Sequence, residues 1–236
     1  MRNLPTHPSP TRSEGGIPAP SLRDGLGWCS LVPFVVAAAL AGCSKPSATA
    51  PTANDALSLP IAEFALTERS GNIVKKADLH GRVWIASFIF TRCSGPCPQV
   101  TSTVARLQSE LDIANEPGIR LVTFTVDPTR DNPNELKIYA DGRQAHPERW
   151  LFLTGKEDEI RRLLIESFKI PVSRNEKSKK PGDEYEHSTR LVIVDKQGNI
   201  RGYYQGMADP TVEGSTEALE ADLSKLKDKV KALLKE

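Results

Sequence analysis

The sequence has little of several things, and each shortage excludes a class of protein. Net charge is nearly absent: 31 Lys+Arg stand against 30 Asp+Glu, leaving +1 over 236 residues. Without a basic excess there is no electrostatic footprint for nucleic acid, and without an acidic excess there is no solvating tail. Cysteine is scarce, with four residues at positions 29, 43, 93 and 97. The first two lie within and at the end of an apolar N-terminal run. A processed chain therefore keeps a single close dithiol, too little for a structural disulfide framework, so that pair is read as chemistry. Histidine is scarcer still beyond residue 42, where only His80, His146 and His187 occur. The apolar run at 26–41, interrupted by Pro33, falls short of the roughly 20 residues a membrane-spanning helix needs. No internal repeat is present.

What is there begins with a leader. Residues 1–24 are rich in Pro, Gly, Ser and Thr and cannot bury enough apolar surface to fold alone. The run that follows has the length and the small terminal residues of a secretory signal. Its end, Leu40-Ala41-Gly42-Cys43, resembles the bacterial lipoprotein processing box. In proteins with that box the leader is cut before the cysteine, whose sulfur receives diacylglycerol. The alternative is an uncleaved signal anchor, and both leave an exported, membrane-anchored domain facing the periplasm or the outer side of the cytoplasmic membrane. Loss of residues 1–42 would remove Arg2, Arg12, Arg23, Glu14 and Asp24 and leave the charges balanced. The organisation expected is a signal peptide at 1–42, a Ser/Thr/Ala/Pro-rich tether at 43–56 and a folded domain at 57–236.

Within that domain strand and helix patterns alternate. The near-continuous apolar run at 83–90 predicts a central strand covered on both faces, and 120–126 predicts a second. Short strands are expected at 61–66 and 150–153, and a turn at Gly71-Asn72. The spacing of Val100, Val104, Leu107 and Leu111 predicts a helix. Pro133 opens another, running to about Ala140. Thr154-Gly155-Lys156-Glu157 matches a capping box at the start of a helix through Phe168. Residues 173–186 are dense in charge around Pro181-Gly182 and predict a solvated loop. Two strands at 191–194 and 200–204 flank a hairpin signal. Leu219, Leu223, Leu226, Val230 and Leu233 form the apolar stripe of a last helix, too short a repeat for a coiled coil, so it packs on the sheet. The fold class expected is α/β, one domain with a central mixed β-sheet and helices on both faces.

The chain is organised around Phe90-Thr91-Arg92-Cys93-Ser94-Gly95-Pro96-Cys97-Pro98, where a buried strand ends in a tight turn and a helix begins. A helix N-terminus favours the thiolate through free N–H groups and the macrodipole. Two thiols held there can exchange electrons as a redox-active disulfide or clamp a soft metal. The Cys-x3-Cys spacing is not the usual Cys-x2-Cys redox motif. His187 stands where the charged loop enters the strand at 191–194, and loops at strand ends carry sites in α/β sheets. Two thiolates and an imidazole would suit copper in both oxidation states, whereas zinc more usually takes four ligands.

Three separated motifs then resemble the Sco/SenC proteins, membrane-tethered, thioredoxin-like copper chaperones of cytochrome c oxidase assembly. They are the cysteine stretch just quoted, Val126-Asp127-Pro128-Thr129-Arg130-Asp131-Asn132-Pro133, and His187-Ser188 ahead of Leu191-Val192-Ile193-Val194-Asp195. The resemblance covers residues 57–235. It implies copper, Cu(I) and Cu(II), bound by Cys93, Cys97 and His187, and a partner in the copper-bearing subunit of the oxidase, with other copper chaperones or thiol reductases as further candidate partners. It also suggests Asp127 as an acid near the site, although from sequence alone Asp127 could equally cap the turn after its strand. Glu186 precedes His187 where family members often carry Asp, and Tyr185 is only two residues away, so this loop is rebuilt. The competing reading is an enzyme, a thiol–disulfide oxidoreductase reducing exported cysteines. Such reductases usually carry a cis-proline before the facing strand, and His187-Ser188-Thr189 has none.

Overall fold

The computed structural model describes residues 57–236 except 176, 178 and 179. The expected signal peptide, the tether and Cys43 lie outside the described residues. Among the described residues there are ten strands: β1 (Leu59–Pro60), β2 (Ala65–Glu68), β3 (Ile73–Lys75), β4 (Val83–Ile89), β5 (Ile119–Thr125), β6 (Trp150–Thr154), β7 (Val172–Arg174), β8 (Tyr185–His187), β9 (Arg190–Val194) and β10 (Asn199–Gln205). The helices are α1 (Cys97–Glu110), α2 (Pro133–Asp141), α3 (Glu157–Arg162) and α4 (Ser215–Lys235).

Eight strands form one mixed sheet in the order β1-β10-β9-β4-β5-β6-β2-β3. At its centre β4, β5 and β6 run parallel, joined through α1 and α2, while β9 pairs antiparallel with β4. Every residue of β4 is buried because side chains on both sides of the strand meet a covering layer. Val83 and Ile85 point to the layer of α1, α2 and α4, with Val104, Leu107, Leu223 and Leu226. Trp84, Ala86 and Phe88 point the other way, to Ile160, Leu164 and Phe168. On that second face Phe168 sits against Trp84, Phe88 and Phe124 at ring distances of 6.0, 5.2 and 5.1 Å. Helices thus cover both faces, as expected.

Three local expectations change. The strand expected at 61–66 is displaced: residues 61–64 belong to no strand, β2 begins only at Ala65, and the short edge strand β1 ends before Ile61 at Pro60, which cannot donate to a ladder. The capping box at Thr154 does not form. Thr154 ends β6, Lys156 holds the cap position without a side-chain bond, and Glu157, Asp158 and Glu159 stabilise the first turn through the helix dipole instead. The helix then widens into a π-turn, Leu163–Ser167, that delivers Phe168 to the aromatic cluster. The charged stretch at 173–186 is not all loop: β7 and β8 at its two ends pair antiparallel, Val172 opposite His187.

The parallel register sets the site. Ile89 lies opposite Thr125, so the chain leaving β4 and the chain leaving β5 emerge side by side, tied by Val126 N–H to the Ile89 carbonyl at 2.8 Å. Because β9 runs antiparallel to β4, the segment entering β9 arrives at this same edge. Three motifs far apart in sequence meet there.

Candidate metal centre

The cysteine turn is held from below and from the side. Cys93 N–H donates to the Phe90 carbonyl at 3.2 Å, and α1 opens at Cys97 with Pro96 as its cap. Proline offers no capping side chain, so the first amides of α1 lack an internal partner. The Cys97 thiol and the N–H groups of Gly95 and Cys97 act as donors that favour the Cys93 thiolate. These donors, the Cys97 thiol foremost, draw the Cys93 pKa down to about 6 against the opposing effect of burial. Cys97 moves the other way: its proton is held by the Cys93 sulfur and its own burial is complete. Both thiols are free, and Cys93 is the more exposed of the two, at 8% against 0%.

His187 reaches the pair from β8. Its Nε2 stands 3.5 Å from Cys97 Sγ, and its Nδ1 lies 3.0 Å from the Ser188 carbonyl. A carbonyl only accepts, so Nδ1 must carry the hydrogen and Nε2 turns a lone pair toward sulfur. Burial lowers the His187 pKa, which keeps the imidazole neutral and ready to donate that pair. Phe90 meets the imidazole at 6.0 Å and the Tyr185 ring at 5.6 Å, closing the apolar side of the site. Of the three side chains, Cys97 is the one that meets both of the others. Among the described residues no three His, Cys, Asp or Glu side chains are already gathered at metal-ligand positions.

The turn after β5 stitches the two halves together. Asp127, 1% exposed, accepts from Thr129 Oγ1 at 2.8 Å, from Arg130 Nε, and from Tyr185 OH at 3.3 Å. It therefore caps the turn and also ties it to the strand that carries His187. Asp131 does the corresponding work for the cysteines. Its carboxylate accepts from Thr91 N–H at 3.1 Å, from Thr91 Oγ1 at 2.5 Å and from Thr125 Oγ1 at 2.5 Å. Sequence reasoning missed Asp131. The available signal was its place four residues after Asp127 in a turn between a buried strand and Asn132-Pro133.

Above the cysteine turn lies Gly182, with φ of +89°. Its carbonyl accepts from Ser94 N–H at 3.3 Å, and a Cβ on it would fall 2.7 Å from the Arg92 carbonyl and Ser94 N. A Gly182→Ala variant is expected to lose about 1–3 kcal/mol from the left-handed backbone and this overlap. It should also lift the segment off Cys93. Urea denaturation would read the first effect, and a several-fold faster reaction with an aromatic disulfide probe the second. The other histidines stay apart from the site: His80 ends a short 3-10 turn, and His146 Nδ1 accepts from Glu148 N–H. Met207 packs among the partly buried residues beside α1 and α4.

Comparison with known proteins gives a consistent outcome. Residues 53–221 match the SCO1/SenC family model. A SCO1 protein homolog of Bacillus subtilis is 32% identical over 154 residues, covering 65% of this chain and 77% of that protein. Among solved structures, BsSco, a member of the Sco family of cytochrome c oxidase assembly proteins, is 30% identical with a TM-score of 0.62, covering 76% of this chain and 95% of that one. A SCO1/SenC family lipoprotein from Bacillus anthracis is 25% identical with a TM-score of 0.62, covering 74% and 95%. The thioredoxin-like α/β fold expected from the sequence is thus the fold found. With three motifs converging at one sheet edge and the family model spanning most of its length, this chain belongs to the SCO1/SenC family.

Proposed function

We propose that this protein is a copper chaperone of cytochrome c oxidase assembly, binding copper through Cys93, Cys97 and His187. The observation that carries the reading is the aim of the imidazole. Nε2 faces Cys97 Sγ at 3.5 Å while the Ser188 carbonyl pins Nδ1, the arrangement by which second partners orient a metal-ligating histidine. The donor chemistry fits. Two sulfurs, one already drawn toward thiolate, suit soft Cu(I), and the added imidazole suits Cu(II) as well. Small movements of three neighbouring side chains would bring the donors onto one ion. The greater exposure of Cys93 supports entry and exit of the cargo on that side, by ligand exchange with thiolates of the copper-bearing subunit of the oxidase. The relative from Bacillus anthracis, a lipoprotein, supports lipid anchoring through Cys43, with residues 43–56 as tether and the domain on the exported side of the membrane. Among the described residues no helix is long and apolar enough to cross a membrane.

Copper titration of the reduced protein beside His187→Ala tests the assignment. The native chain should take up one Cu(I) and, as Cu(II), give a thiolate charge-transfer band. The variant should keep Cu(I) on its two sulfurs but bind Cu(II) at least about tenfold more weakly, with the band lost or shifted. Absence of copper uptake together with rapid turnover of a disulfide substrate would replace this reading with the oxidoreductase one.

A further inference from the structure

His187 sits on β8, and β8 belongs to a two-stranded ribbon outside the main sheet. Three-residue strands paired only with each other are weak anchors, so the ladder alone does not hold the imidazole at a set height over the cysteines. The residue immediately before β8 supplies a stronger hold. Glu184 Oε1 accepts from Arg130 Nη1 at 2.8 Å, and its Oε2 accepts from Gly182 N–H at 2.9 Å. The same guanidinium donates through Nε to buried Asp127 in the turn after β5. A planar guanidinium fork bound at both sides fixes the separation of its two carboxylates more tightly than a flexible ammonium would. Arg130 in turn holds the Glu184 carboxyl below its usual range.

We propose that Arg130 and Glu184 are positioning residues for the copper site: the Asp127–Arg130–Glu184 bridge sets the register of β8 over the cysteine turn and so aims His187 Nε2 at Cys97 Sγ. The proposal rests on the copper reading above, yet it also makes a claim about the metal-free protein. Glu184 is the member to cut, because its loss leaves Arg130 in place to neutralise Asp127. Glu184→Gln is the conservative companion, since an amide oxygen still accepts one bond from Arg130.

The experiment uses the full chain with 15N-labelled histidine. Metal-free native protein should show the nitrogen shifts of a single Nδ1–H tautomer at His187. Glu184→Ala should show tautomer averaging and, on adding Cu(II), about tenfold weaker binding with a displaced charge-transfer band. Glu184→Gln should recover most of both. If the Glu184→Ala nitrogen shifts and copper band match the native ones, the proposal is overturned, even where thermal stability has fallen. If the native protein holds the single tautomer, loses it in Glu184→Ala, and yet takes up no copper, the positioning role stands and the copper reading fails.

Discussion

Replacing both Cys93 and Cys97 by serine is expected to remove tight copper binding altogether, a loss beyond the roughly 10–100-fold that follows from disturbing groups outside the ligand set. Serine keeps the size of the side chain but offers a hard, protonated oxygen in place of a polarizable sulfur, and Cu(I) selects the sulfur. Each single variant should be nearly as damaged, because one sulfur and an imidazole leave Cu(I) a single soft donor where the His187→Ala variant keeps two. Equilibrium competition against a Cu(I) chelator measures this, and a double variant that retains one tight copper would remove the assignment. The same site carries a pH signature. Metal ions displace protons from thiols, so affinity must rise with pH. With Cys93 drawn down to about 6 and the Cys97 proton held firmly, binding above that pH should release about one proton, from Cys97. Below it the Cys93 thiol adds a second, and the slope of affinity against pH should steepen. A slope that is flat from neutral to acid pH would contradict the thiolate assignment.

The second large effect concerns Asp131. Its carboxylate is fully buried and receives the Thr91 N–H and hydroxyl and the Thr125 hydroxyl. Asp131→Ala strands these donors beneath the cysteine turn and is expected to cost about 3 kcal/mol, since each unsatisfied buried group costs roughly 1–3 kcal/mol and the losses overlap. A urea midpoint measures it, and a change within about 0.5 kcal/mol, the range of ordinary surface substitutions, would sink the idea. Burial raises the Asp131 pKa despite those donors. The folded state therefore binds this proton more tightly than the unfolded state does. The resulting stability is present below the ordinary carboxylate pKa of about 3.9 and is lost as pH rises through the folded value. Asp131→Asn carries no such proton. The native-minus-Asn stability difference should be larger near pH 4 than near pH 7, and a difference that grows toward neutral pH would reverse the assignment of burial as the dominant influence.

Much of the architecture was legible because it rests on local patterning. The apolar runs of β4 and β5 named themselves as strands covered on both faces, and the stripe from Leu219 to Leu233 is buried on α4 as its spacing requires. Cys97 begins α1 where the Gly95-Pro96 turn makes continuation of the strand impossible. The ribbon of β7 and β8 was not legible. Its residues are mostly polar and half-buried or exposed, so neither alternation nor hydrophobicity marks them, and their pairing is a property of two segments brought together. The capping box failed for a related reason: Thr154 was claimed by the sheet before it could serve the helix.

For the site the division is similar. Chain order and residue type by themselves determined which atoms are available: one close dithiol, one histidine at a strand entrance and an acid-rich turn after a buried strand. They determined this because donor softness and helix-terminus electrostatics belong to side chains and short segments. Only the tertiary structure decided that Nε2 rather than Nδ1 faces sulfur, that Cys93 rather than Cys97 is drawn toward thiolate, and that Asp127 and Asp131 tie opposite halves of the site. Each of those outcomes depends on a partner supplied from elsewhere, the Ser188 carbonyl through the path of β8 and the two acids through the parallel register of β4 and β5. Distances between residues ninety positions apart are set when the sheet closes, and no local pattern encodes them.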